Sequence, residues 1–264
     1  MKYSFMSFSC PELDMNQILR TLKLYGYEGF EPRIGAGHRH GIEIDAAKPF
    51  LREISLKARE NRIIICCIAT SCKFSNPTDA KDNIEYAKYS IELAAEVGSP
   101  LIRVFGGNIP EGVGREKSFE SIVEALKELS EFAQQRNITV CIETHDSWSD
   151  PEAIVNVIRS VNHPAIAVNW DIMHPVLSEG FTVEKAFELL KPWIRHVHVH
   201  DGVKTENNLV FKPVGEGRID HKSAIRLLKD SGYSGFISGE WIGWEPYYVH
   251  LPRELEAMKA YEED

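Results

Sequence analysis

Short apolar runs alternate with longer stretches of helical period along this chain, and the alternation recurs eight times. The runs that read as strands are YSFMSFS (3–9), EGFEP (28–32), RIIICCIAT (62–70), PLIRVF (100–105), ITVCIE (138–143), AIAVNWD (165–171), IRHVHVH (194–200) and GFISGE (235–240). Between them, apolar residues fall at helical spacing, as Met15, Ile18, Leu19 and Leu22 do in DMNQILRTLKLYG. SFESIVEALKELSEFAQQRN is expected to open at Ser118 and stop at Asn137. DHKSAIRLLKDSGYSG is expected to open on an N-cap Asp220 and stop at Gly232. Eight βα units predict an α/β fold, a (β/α)₈ TIM barrel, in one domain over residues 1–264. The rival, an open doubly wound sheet, would more often carry a Gly-rich phosphate loop after its first strand, and FSCPELD is not one.

In a barrel, one parity of each strand fills the interior and the other packs on the helices. Ile138, Val140 and Ile142 then face helices, and Thr139, Cys141 and Glu143 face in. In AIAVNWD the inward set is Ala167, Asn169 and Asp171; in IRHVHVH it is His196, His198 and His200; in GFISGE it is Phe236, Ser238 and Glu240. Four successive strands thus end, at the carboxyl side, on Glu143, Asp171, His198 (or His200, two on) and Glu240. A lone strand-end Glu is as readily a solvated loop residue, but chemistry in this fold sits at that face. Three carboxylates brought so close repel one another, and a divalent cation resolves the conflict. Three oxygens and one imidazole suit one divalent ion, Mn²⁺ first, with Mg²⁺, Co²⁺, Fe²⁺ or Zn²⁺ as alternatives. Glu31 and Arg103 also point inward, as substrate contacts or as a charge pair lining the mouth. His196 lies one residue pair deeper and reads as a hydrogen-bonded core histidine.

Composition narrows the partners. Hydrophobic residues make up 43% and charged residues 26%, the mix of a globular protein. A net charge of −9 argues against nucleic acid. No apolar run approaches the ~20 residues of a membrane span, and the start MKYSFMSFSC turns polar too soon for a signal peptide. Five cysteines, an odd number with two adjacent, suit reduced, buried thiols and a cytoplasmic location.

With these residues in place the chain resembles the xylose isomerase-like barrel superfamily, which includes sugar phosphate isomerases and epimerases, ketose 3-epimerases, inosose dehydratases and apurinic-site endonucleases. The likeness rests on VCIETH, VNWDIMHP, HVHVHDG, PVGEGRID and GYSGFISGEW in this order. It implies a metal held by Glu143, Asp171, His198 and Glu240, the set that parity reached separately, with His198 favoured over its two neighbours. It also implies His174 and Lys204 as substrate contacts. Ser149 stands where some epimerases carry an acid. His200 reads as a substrate contact or a loop residue. In PVGEGRID, Gly215 and Gly217 are expected to permit positive φ. His38, Arg39 and His40 fall in the loop after the second strand, and Trp241 and Trp244 are wall or core residues.

A metal chelating a carbonyl and its neighbouring hydroxyl acidifies the intervening C–H and stabilises the enediolate. Glu143 and Glu240, flanking that carbon, are then proton acceptor and donor. The expected function is a metal-dependent isomerase or epimerase of a keto sugar, sugar phosphate or cyclitol. A dehydratase of a keto-cyclitol or related polyol is the alternative. An apurinic-site endonuclease is disfavoured, because RVFGGN at the fourth strand end holds no histidine, and a non-catalytic sugar-binding protein would not need all four ligands. The expected partner is a small carbohydrate or polyol, with no nucleic acid and no membrane. A homodimer or homotetramer is compatible with the sequence.

Overall fold

The computed structural model describes residues 1–205 and 209–263. Its strands are β1 (Lys2–Met6), β2 (Gly29–Glu31), β3 (Ile64–Ile65), β4 (Ile68–Lys73), β5 (Leu101–Phe105), β6 (Thr139–Glu143), β7 (Ile166–Asp171), β8 (Ile194–Val199), β9 (Asp201–Lys204), β10 (Leu209–Lys212) and β11 (Phe236–Gly239). The helices are α1 (Met15–Tyr25), α2 (Lys48–Glu60), α3 (Ala80–Val97), α4 (Arg115–Gln134), α5 (Pro151–Val161), α6 (Met173–Glu179), α7 (Val183–Leu190), α8 (His221–Asp230) and α9 (Tyr247–Glu263). The main sheet runs β3-β2-β1-β11-β8-β7-β6-β5-β4, and its pairings are parallel. Since β3 and β4 are the two halves of one run, the ends of that order meet and the sheet closes into a TIM barrel. Among the described residues, no helix is long and apolar enough to cross a membrane.

Local chemistry explains the helix boundaries. Asp14 caps α1 by accepting from the Gln17 amide at 2.9 Å while the Gln17 side chain accepts from the Asp14 amide, a reciprocal box. Gly26, at φ 86°, ends it. Asp220 caps α8 as expected. By contrast, α4 opens three residues earlier than expected, after Gly114, and Ser118 is buried inside its first turns. The helix also stops three residues before Asn137, at Gln134, and Asn137 lies in the following turn with φ at 56°.

Three strand expectations change. The first strand ends at Met6, and Ser7–Ser9 form a single 3₁₀ turn. The third is broken at Cys66–Cys67, so one half pairs with β2 and the other with β5. A two-stranded antiparallel sheet of β9 and β10 follows β8, where no strand was expected. The eighth strand carries a bulge: Val168 pairs with Ile194, but Asn169 pairs with His196. Arg195 is the extra, exposed residue, and the slip sets His198 directly opposite Asp171.

Outward-facing apolar residues pack against the helices, and the barrel interior is plugged by Cys66, Cys67, Leu101, Cys141, Ala167 and Phe236. All five cysteines are free and buried. At the far end, Asp201 is fully buried and accepts from the backbone amides of Gly202, Gly215, Gly217 and Ile219 at 2.8–3.2 Å. One carboxylate therefore pins PVGEGRID to the strand end. Gly215 does adopt positive φ, 92°, but Gly217 does not. Gly217 is needed for closeness, since a Cβ there would lie 2.0 Å from Asp201 Oδ1.

Asp201→Ala leaves buried amides without an acceptor, so it is expected to lower the unfolding free energy by at least ~2 kcal/mol in urea titration. A change below about 0.5 kcal/mol, the scale of an ordinary surface substitution, would contradict this reading.

Candidate metal centre and active site

The parity of β6, β7, β8 and β11 carries Glu143, Asp171, His198 and Glu240 to one point at the carboxyl end of the barrel. Their ligand-capable atoms all lie within 4.8 Å of one another, and all four side chains are buried. His198 Nδ1 is 2.8 Å from Glu143 Oε1 and 3.1 Å from Glu240 Oε2. Arg103, buried beside them, approaches Glu143 Oε2 at 3.1 Å and donates to the Thr70 carbonyl at 2.8 Å. Asp171 is held from two sides. Its Oδ1 accepts from the Met173 and His174 amides at the start of α6, and its Oδ2 lies 2.8 Å from His200 Nε2.

Burial pushes carboxyls up and imidazoles down, but mutual charge outweighs it at Asp171, Glu240 and His198. Burial raises the Asp171 pKa, yet His200 and His174 hold it well below the usual carboxylate range. Glu240 is likewise drawn down to about 2, against burial, chiefly by His198. Against burial that would lower it, the carboxylates of Glu31, Glu143 and Glu240 hold the His198 pKa well above an ordinary histidine's.

The donor set fits a divalent cation. Asp171 Oδ2, Glu240 Oε2 and Glu143 Oε2 are buried without a well-formed hydrogen bond, although each faces a cationic group. Buried acceptors in that state, converging with an imidazole nitrogen, are the oxygen-rich set that Mn²⁺ or Zn²⁺ takes.

The structure redistributes several residues that the sequence assigned to substrate. Glu31 is fully buried beneath the cluster, 2.8 Å from His196 Nε2 and 3.1 Å from His198 Nε2, and it forms no pair with Arg103. His196 is thus the hydrogen-bonded core residue expected. His200 is 4% exposed and engaged with Asp171 rather than open to the mouth. Lys204 is exposed on β9, where the β9–β10 hairpin carries it onto the surface. His174 does stand at the mouth, half-buried on α6. Trp241 is core, His40 is buried on backbone partners, and His38 meets Ser7 Oγ at 2.8 Å. Ser149 is buried and bonded to the Asp146 carbonyl.

One residue at the rim escaped the sequence reading. His145 lies two past Glu143, 3.1 Å from Asp146 Oδ1, with its ring 4.2 Å from His174 and 4.9 Å from Phe105. Burial would lower its pKa, but the Asp146 bond and the charges of Glu143 and Asp146 raise it to about 9. VCIETH carried the signal, because His145 continues the inward parity of β6 past its end. From Phe105 the rings run on through His145, His174, His200, Phe211 and Trp244, with successive centroids 4.2–6.3 Å apart. This arc borders the carboxylate cluster with flat faces.

A profile described as a xylose isomerase-like TIM barrel matches residues 19–260. The chain belongs to that family. A 3-dehydroshikimate dehydratase of Bacillus anthracis is 23% identical over 262 residues, 92% of this chain and 91% of that protein. The crystal structure of a D-psicose 3-epimerase in the presence of D-fructose superposes with a TM-score of 0.80 at 16% identity, over 100% of both chains. That of the IolI protein with a bound zinc atom gives 0.78 at 18% identity, covering 99% of this chain and 96% of that one. The proteins that this chain resembles thus include a 3-dehydroshikimate dehydratase and, by fold, a D-psicose 3-epimerase.

His145 is expected to titrate near 9 in the metal-free protein by NMR, and in Asp146→Asn to fall back toward its ordinary value of 6.5. Its proton is held more tightly in the folded chain, so its stabilising contribution is complete below pH 6.5 and is lost as pH rises through about 9. An unchanged midpoint in Asp146→Asn would remove Asp146 as the cause.

Proposed function

We propose that the chain is a divalent-metal-dependent isomerase or epimerase acting on a keto sugar, sugar phosphate or cyclitol, with Glu143, Asp171, His198 and Glu240 as the metal ligands. The observation that carries this reading is the convergence of two glutamates on one atom. Glu143 and Glu240 reach His198 Nδ1 from opposite sides of β8, at 2.8 and 3.1 Å. A bound cation would polarise a carbonyl and its adjacent hydroxyl and so acidify the C–H between them. One glutamate takes that proton and the other returns one. Return to the opposite face of the same carbon is epimerisation, and return to the adjacent carbon is isomerisation. Arg103 stands 3.1 Å from Glu143 Oε2 and offsets its charge. The ring arc from Phe105 to Trp244 offers faces on which the C–H surface of a polyol stacks. Zinc in the IolI structure supports a metal here, and the five free, buried cysteines support a reducing cytoplasm.

His145 favours a second reading, dehydration. Its proton is held up to about 9 at the rim, two residues from Glu143. A glutamate would take the proton α to the carbonyl while His145 protonates the departing β-hydroxyl, which leaves as water. The full-length likeness to a 3-dehydroshikimate dehydratase points the same way.

The test screens ketoses, their phosphates and inososes in deuterated water with Mn²⁺-loaded protein. Deuterium entering a substrate carbon without loss of a hydroxyl marks the isomerase or epimerase, and net loss of a hydroxyl marks the dehydratase. Glu143→Gln and Glu240→Gln should each lower turnover by roughly 10²–10⁴-fold. Full turnover in both, with metal retained, would end the two-glutamate proton transfer.

A further inference from the structure

Glu31 is a buried charge whose contacts the proposed chemistry does not use. It sits on β2, across the barrel from β8, and its side chain is fully buried, as are those of His196 and His198. Its Oε2 lies 2.8 Å from His196 Nε2, and its two oxygens lie 3.1 and 3.3 Å from His198 Nε2. A carboxylate only accepts hydrogen bonds, so both Nε2 atoms must carry hydrogen and donate to it. His198 Nδ1 faces carboxylates as well, 2.8 Å from Glu143 Oε1 and 3.1 Å from Glu240 Oε2, so in the metal-free protein it carries hydrogen too. A cation taken up by those carboxylates would displace the hydrogen on Nδ1, while Glu31 keeps the one on Nε2.

We propose that Glu31 is a positioning residue that fixes the ring plane and tautomer of His198, so that Nδ1 is presented to the cation. This rests on the metal-centre reading above. A carboxylate behind a ligating imidazole also makes that imidazole a stronger donor, and such partners typically matter 10–100-fold in metal affinity. His196 is the brace: its own bond to Oε2 keeps the Glu31 carboxylate from rotating away from His198. Substrate contact is closed to Glu31, because both oxygens face imidazoles and neither reaches solvent. A second metal shared by Glu31, Cys66 and His196 is also disfavoured. The Glu31–His196 contact is a hydrogen bond, and the Cys66 thiol donates to the Phe30 carbonyl at 3.4 Å.

The experiment has two arms on the full chain. In the first, Zn²⁺-loaded protein with ¹⁵N-labelled histidine is examined by long-range ¹H–¹⁵N NMR. His198 is expected to show a protonated Nε2 and a metal-shifted Nδ1. In the second, Mn²⁺ affinity is measured by calorimetry on the wild type and on Glu31→Gln, whose amide presents one acceptor and one donor where two acceptors stood. A loss of roughly 10–100-fold is expected in the variant. If the wild type binds no metal, the metal centre fails and the role of Glu31 fails with it. If the wild type binds but His198 coordinates through Nε2, or Glu31→Gln binds as tightly, the role of Glu31 alone is overturned. The first arm needs no substitution, so it decides even if Glu31→Gln does not fold.

Discussion

One imidazole, His198, touches three buried carboxylates: Glu143 and Glu240 at Nδ1, and Glu31 at Nε2. Asp171 completes a set of four acids at the end of an apolar barrel. Glu143, Asp171 and Glu240 offer atoms within 4.8 Å of one another, and unit charges at that separation repel by roughly 3.5 kcal/mol per pair even at an effective dielectric of about 20. That repulsion must be answered locally, and the surrounding structure is arranged to do so. Arg103 answers Glu143, the amides opening α6 and His200 answer Asp171, and His198 stands between the rest. On the proposed function a divalent cation is the compact remaining answer, and the four side chains that would hold it stand at the strand ends.

The rim is built differently from the floor. Below, the contacts are carboxylate to imidazole and amide, which fix direction. Above, the contacts are ring to ring, from Phe105 round to Trp244, and three of those rings are the imidazoles of His145, His174 and His200. Asp201 joins the two levels by tying the glycine loop before α8 to the end of β8. On the proposed function, an acidic floor under a ring-lined rim suits a polyhydroxylated substrate whose oxygens point down and whose C–H face lies sideways.

Much of this was legible because strand side chains alternate strictly. Val197 and Val199 facing out requires His196 and His198 to face in, and the same rule brings Glu143, Asp171 and Glu240 to one end. What alternation does not encode is contact across the barrel. Glu31 and His196 are 165 residues apart, so the sequence shows an inward Glu31 but not the imidazoles that claim it. Nor does alternation reveal slips. The bulge at Arg195 sets the pairing of His198 with Asp171, and the break at Cys66–Cys67 splits one apolar run between two neighbours. His145 lies just past the end of β6, where a pattern read only to the strand end stops two residues short.

The most direct measurement is anomalous diffraction from crystals of the protein soaked in Mn²⁺. The account predicts one anomalous peak per chain at the carboxyl end of the barrel, bonded to Glu143, Asp171, Glu240 and Nδ1 of His198. A protein that takes up no Mn²⁺, or a peak that lies away from these four side chains, would contradict it.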